Sequence, residues 1–489
     1  MRMERLYGAA LEARDDVLGF YRRCEAEGGL VRTHIWGLPI YVVTAPDLIE
    51  EVLIRKQRCF IKSAGLRSTR FAFGQGLLTS DGELWLHQRR TVQGAFHARQ
   101  LERYGRLMTE ACGRLLDTFR DGETRNVHQD MTDLCFEVLA RSLFGEELPE
   151  ARSLVAATAE ALHAFHHLHA QWIGAAGGLA FAGIRAVATA LGRPDFVVDP
   201  TLLPTRYARR FRRAVGELDG FVAELLARRR REPPGEDFLS LLLAAVDGSG
   251  APLGDRQIRD EIVTMFLAGH ETAASSLSWT LYLLARHPAV GESLARQLEE
   301  GNADQLLEQV IREGLRLYPP AYRISRTTVR SCEIGGQRVD PGAEIMIPQW
   351  AVQRSPRHFQ DPDAFRPERW TQQFLERLPR FAYFPFGGGP RTCIGSAFSQ
   401  VEASIVIGEV ARRFQLRVPP GADPRPYLGV TLLPEGNSLR LQVLHREARA
   451  APRHRPTPSV GRCPFPHARS ASTRPGGPVR SSRRRDETA

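Results

Sequence analysis

Cys393 is one of seven cysteines in the chain, and it alone sits among residues that could turn its sulfur into a metal ligand. It closes the run Phe386-Gly387-Gly388-Gly389-Pro390-Arg391-Thr392-Cys393, and Ile394-Gly395 open a helix expected over about 394–414. A thiolate needs positive potential to stay deprotonated. A bound metal supplies most of it, and the N-terminus of a following helix adds more. Backbone N–H groups just after the cysteine can donate to the sulfur and tune the metal. Glycines before it, and Gly395 after it, let the backbone approach a flat ligand without Cβ clashes. Arg391 offers a cation to an acidic edge of that ligand, and Phe386 can shield the sulfur from water. Cys24, Cys59, Cys112, Cys135, Cys332 and Cys463 are scattered, with no CxxC or CxC spacing. They read as ordinary thiols, and a reducing cytoplasm suits them better than a disulfide framework or a zinc site.

Three further constellations carry chemistry. Ala268-Gly269-His270-Glu271-Thr272 falls within a long helical stretch, about 255–287. An acid beside an alcohol can hold water and relay protons, and small Ala268 with Gly269 is expected to let the helix widen locally. Glu313 and Arg316 share a helix face at i, i+3, within ion-pair reach. Trp85 and Arg89 lie one turn apart near a helix start. Taken alone, each reads as an ordinary exposed helix face or a weak surface pair.

The elements that must position these residues are mostly helical. Residues 30–43 read as two short strands around Gly37-Leu38-Pro39, 47–56 as a short helix, and 60–84 as a loop bearing Gly and Ser. Helices follow over 83–118 and 130–144. Phe211, Val215, Leu218, Val222 and Leu225 repeat at helical spacing within 207–231. Helices over 255–287 and 303–317 are ended by Pro288 and by Pro319-Pro320. Strand and turn chemistry occupies 322–349 and returns near 444. The reading is mainly α with a small β region and no internal repeat.

Composition narrows the function classes. With 489 residues, 43% of them hydrophobic, the chain can bury a large core. Its net charge of +10 is uneven: ten arginines against Asp486 and Glu487 give +8 from Arg449 onward, which leaves +2 for residues 1–448. A near-neutral body argues against nucleic-acid binding. The segment 449–489, rich in Pro, Arg and Ser, reads as a disordered tail on a domain spanning 1–448. The first residues hold no apolar run for a signal or membrane anchor. His163 and His167 have i, i+4 spacing but lack a nearby acid or cysteine to complete a metal site. The mildly apolar stretch 172–191 contains Arg185, which weighs against a membrane span.

The run from Phe386 to Gly395 resembles the cytochrome P450 signature Phe-x-x-Gly-x-Arg-x-Cys-x-Gly, matching at Phe386, Gly389, Arg391, Cys393 and Gly395. The supporting motifs fall in the family's order along about 7–445: Trp85 and Arg89, Glu271 and Thr272, Glu313 and Arg316, Arg369 in Phe365-Arg366-Pro367-Glu368-Arg369-Trp370, then Cys393. The resemblance implies the triangular, mainly α prism of that family and a heme b cofactor. Cys393 would be the iron's axial ligand, and Trp85, Arg89, Arg391 and the weaker candidate Arg326 would face the propionates. Gly269, Glu271 and Thr272 would serve dioxygen and its protons, and Glu313, Arg316 and Arg369 would form a buried structural network. It further implies a pocket at Phe71, Phe73, Leu77, Phe266, Ala268, Ile324 and Leu433, whose apolar character suits a terpenoid or a fatty acid.

The implied reaction inserts one atom of O₂ into that substrate and releases the other as water. No flavin- or iron–sulfur-type segment follows Cys393, so a separate ferredoxin or flavodoxin with its reductase would supply electrons to a monomeric enzyme. That partner would dock on the thiolate side, near Arg391 and the basic residues of 85–106. Two alternatives on the same fold are a peroxide-driven or isomerising enzyme and a heme sensor or carrier.

Overall fold

The computed structural model describes residues 16–145 except 36, then 157, 158, 160, 161, 164, 175–199, 201, 205–247 and 249–446. The histidines of the 163–169 run, residues 172–174 and the tail lie outside these.

Alternating apolar residues around the turn at Gly37 form β1 (Leu30–Ile35) and β2 (Leu38–Val43), antiparallel with Ile35 opposite Leu38. They join β3 (Phe60–Lys62), β4 (Ile324–Thr328) and β5 (Glu344–Ile347) in one sheet of order β1-β2-β5-β4-β3. Within it Lys62 of β3 lies opposite Arg326 of β4. The stretch 60–84, expected as a loop, thus begins as a sheet-edge strand.

The main helices are α1 (Gly82–Gln93), α2 (Ala98–Leu116), α3 (Val127–Phe144), α4 (Ala175–Ala190), α5 (Arg206–Arg229), α6 (Asp255–Arg286), α7 (Asp304–Leu317) and α8 (Ser396–Arg413). The helical repeat of 207–231 holds: Phe211, Leu218, Val222 and Leu225 are buried along one face of α5. The stretch 83–118 is two helices, because the chain makes a 3-10 turn at Gly94–Phe96 and His97 then takes an extended conformation that starts α2. Pro288 ends α6 and also opens the helix Pro288–Glu300, where its missing N–H costs nothing. A helix at Val17–Glu27, unmarked by any strong apolar repeat, is capped by the Asp16 carboxylate on the Gly19 N–H at 2.8 Å.

Helix α6 is the axis of the molecule, packed on α3, α5, α7 and α8. Its 32 residues span about 48 Å at 1.5 Å per residue. It is α-helical throughout, Gly269 included. A Cβ on Gly269 would sit 2.9 Å from Leu139 Cδ2 of α3, so this glycine serves close helix packing.

Helix α4 is inverted in polarity. Arg185 is buried, bonded to Glu344 Oε1 at 2.5 Å and to the Gly342 carbonyl at 3.3 Å, while Ile184 and Val187 are exposed. Arg185 therefore pins the helix to the sheet. No helix among the described residues is long and apolar enough to cross a membrane.

Candidate functional site

The segment before α8 folds back on itself by local bonds. The Cys393 N–H donates to the Phe386 carbonyl at 2.9 Å, and Gly387 N–H to that of Phe384 at 2.8 Å. Gly389 has φ +71°, and a Cβ there would lie 2.2 Å from the Leu53 carbonyl oxygen, so only glycine fits. The Gly395 N–H bonds the Cys393 sulfur. Burial pushes the thiol up from its ordinary value, while the Gly395 N–H and the Arg89 guanidinium pull it the other way. The residue has exposed surface although protein encloses it on all sides. The two together put the sulfur on the wall of an internal cleft.

Cations gather beside it. Arg391 stacks over the Trp85 ring at 5.1 Å and is ion-paired to Asp81, whose carboxylate also accepts the Lys62 N–H at 3.3 Å. Among the described residues the Arg326 guanidinium hydrogen-bonds only the Ser325 carbonyl, at 2.9 Å, and it is pushed down to about 10 by burial and then by Arg391. Arg89, half-buried near Cys393, is lowered by burial and has no ion pair among the described residues. Arg391 and Arg326 lie beside the Asp81 carboxylate with Lys62 next to them, while Arg89 lies apart, near Cys393.

On α6, Ala268 is exposed although the residues before it are buried, and Glu271 and Thr272 are half-buried. The Thr272 hydroxyl donates to the Ala268 carbonyl at 2.7 Å, and Glu271 accepts a hydrogen bond from the Thr431 hydroxyl. The segment Pro320–Arg326 connects this region to the cysteine loop. Pro320 and Tyr322 bond the chain at Leu432 and Gly429, and a Cβ on Gly387 would lie 3.5 Å from Ile324 Cδ1.

The sequence profile of the family Cytochrome P450 matches residues 5–441. The chain belongs to the cytochrome P450 family. Cyclooctatin synthase of Streptomyces melanosporofaciens is 31% identical, covering 88% of this chain and 92% of that protein. Pentalenene oxygenase of Streptomyces avermitilis is 29% identical, over 88% and 93% of the two chains. The solved heme domain of cytochrome P450DA superposes with a TM-score of 0.74 at 26% identity, over 91% and 95% of the chains. A cyanobacterial CYP120A1 with retinoic acid bound reaches 0.76 at 23% identity, covering 89% and 96%, a likeness of fold.

This P450 is a heme-dependent monooxygenase: its cofactor is heme b, its co-substrate is O₂, its substrates are hydrophobic, and its electrons come from a redox partner. The residues fit that cofactor. A sulfur faces the cleft, and Arg89 and Arg326, neither of them ion-paired among the described residues, offer cations to the propionates.

The buried network of this P450 is larger than its motif. Arg316 grips Glu313 with Nε and Nη2, both at 2.8 Å, and Arg369 Nε reaches Glu313 Oε1 at 3.0 Å. Trp370 Nε1 donates to Oε2 and the Arg366 N–H to Oε1, each at 2.9 Å. Arg316 also bonds the carbonyls of Gln353 and Ala364 at 3.0 Å and of Pro362 at 2.5 Å. Gln353 and Gln349 then hold the backbone of Phe384, two residues before Phe386. The network thereby reaches the cysteine loop.

Several expected site residues lie elsewhere. Phe266 is fully buried between Phe144 and Phe136 of α3, at ring distances of 5.4 and 5.9 Å, so it is a core residue. Phe73 is likewise fully buried in that cluster. Phe71 lines a separate cleft between α5 and the start of α6, and Leu77 is buried on the Glu261 carboxylate, which accepts its N–H at 3.0 Å. Arg391 points inward to Asp81 and cannot belong to a docking surface. Asp81, Trp370 and Thr431 escaped sequence reasoning. Only Asp81 had a signal, its place just before the helix carrying Trp85.

Proposed function

We propose that Cys393 is the heme ligand of a terpenoid monooxygenase served by a ferredoxin or flavodoxin in the cytoplasm. The observation that carries the reading is the sulfur on an internal cleft wall beside the guanidiniums of Arg89 and Arg326.

When bound, heme activates dioxygen so that one atom enters a C–H bond or an alkene and the other leaves as water. The Cys393 thiolate would hold the iron and supply electron density to it. The Gly395 N–H tempers that donation. Trp85, Arg89, Arg326 and Arg391 orient the acidic edge of the ring. Glu271 and Thr272 hold water and hand on protons. Ala268, Ile324 and Leu433 exclude bulk water and grip apolar substrate.

The terpenoid class draws on the relatives' names, one an oxygenase of pentalenene and another a monooxygenase of cyclooctat-9-en-7-ol. Cyclic terpene hydrocarbons and straight-chain fatty acids, titrated into the ferric holoenzyme, separate the two candidate classes. The terpenes are expected to give the low-spin to high-spin absorbance change. A response to fatty acids alone overturns the class, and no response to any lipophile favours a sensor or carrier.

The partner's docking face is expected at Arg90, Arg99 and Arg106, all exposed. Arg99 is held only weakly, 3.6 Å from an exposed Glu236. Reversing the three charges should slow reduction by ferredoxin about tenfold or more at low salt, with a smaller effect at high salt. Unchanged stopped-flow rates would place the docking face elsewhere.

A further inference from the structure

We infer that Thr431 is a positioning residue for the proton relay, holding the Glu271 carboxyl at the dioxygen side of α6. This rests on the proposed role of Glu271. Three successive turns of α6 bind one short piece of chain, Thr431 in the turn after the strand Pro426–Leu428 and Leu432 at the start of the strand Leu432–Pro434. Glu271 accepts from the Thr431 hydroxyl. One turn on, the Ser275 hydroxyl donates to the Leu432 carbonyl at 2.5 Å, and one turn further Trp279 Nε1 donates to the same oxygen at 3.2 Å. Positions 271, 275 and 279 form a single stripe on the helix. From the other side, the Leu432 N–H donates to the Pro320 carbonyl at 2.9 Å and the Tyr322 hydroxyl to that of Gly429 at 3.2 Å. Thr431 is itself buried and so cannot follow the solvent.

The chemistry of the contact suits a relay. Glu271 has no ion-pair partner among the described residues, and its one hydrogen-bond partner there is a hydroxyl. A guanidinium or ammonium only donates and would hold the acid ionised. A threonine hydroxyl donates to the carboxylate and, after rotating, accepts from the carboxylic acid. It keeps the carboxyl in place through both proton states. The next residue, Thr272, spends its donor on Ala268 and leaves its lone pairs to accept. Reduction of O₂ to water and product consumes two electrons from the redox partner and two protons. A carboxyl that swings away delays the protons, and the same two electrons and two protons then leave as hydrogen peroxide.

The experiment compares Thr431→Val, Thr431→Ser, Glu271→Gln and the double variant E271Q/T431V as holoenzymes. T431V is expected to lower product formation about tenfold, to divert electrons to peroxide and to move the acid limb of the pH–rate profile. The spin-state titration with substrate should stay within twofold, which separates positioning from a damaged pocket. T431S should restore coupling. In the double variant the valine should add nothing to E271Q. If T431V fails to load heme, Thr431→Ala takes its place. Wild-type coupling in T431V beside an impaired E271Q overturns this inference alone. A silent E271Q overturns the relay reading itself, and this inference with it.

Discussion

Cys393→Ser holoenzyme, reduced and exposed to carbon monoxide, is expected to lack the long-wavelength absorption band of sulfur ligation and to lose monooxygenase turnover to background. Serine matches cysteine closely in size, and the loop's shape comes from backbone bonds, such as Cys393 N–H to Phe386 at 2.9 Å, that the exchange leaves intact. The fold should therefore survive while the soft, electron-donating ligand is lost. Cys332→Ser is the control: Cys332 is half-buried on a strand beside Lys56 and Glu51, where burial pushes its thiol up to about 11, and nothing there resembles a ligand loop. The control should keep the band. A band that persists in the Cys393 variant would mean that another residue ligates the iron, and the site proposed here would be wrong.

The second large effect is expected at Glu313. This fully buried carboxylate gathers Arg316, Arg369, the Trp370 indole and the Arg366 N–H around its two oxygens. Glu313→Ala leaves the guanidinium of Arg316 buried and still tied to backbone carbonyls, without its counter-charge. Breaking such a pair costs about 3–5 kcal/mol. The chemical-denaturation midpoint should fall accordingly. Recovery of heme-loaded protein should fall too, because the network fixes Phe384 and through it the loop of Cys393. Glu313→Gln, which keeps an acceptor, should lose less. A Glu313→Ala protein with the wild-type midpoint and full heme content would show that the network does not carry the loop.

Helical periodicity made α5 legible, and cap and proline signals located the ends of α6 and α7 to within a residue or two. Pro288 stops α6 as expected, but that the same proline opens the next helix went unread. The roles of Gly269 and Phe266 were taken from the family's motif and topology. Spacing locates a residue on a helix but not the neighbour it faces, and both turn toward α3.

The cysteine loop was encoded within about ten residues, because its geometry comes from left-handed glycines and bonds between near neighbours. The sequence by itself therefore determined the family and its heme cofactor, and it singled out Cys393 as the ligand proposed here. The partners that orient the site are different. Arg391 meets Asp81 310 positions away, Thr431 meets Glu271 across 160, and Trp370 meets Glu313 across 57. No local rule selects one carboxylate or hydroxyl among many at such separations. Only the packing of the sheet and the loops around α6 decides which side chains share a buried volume and must satisfy each other there.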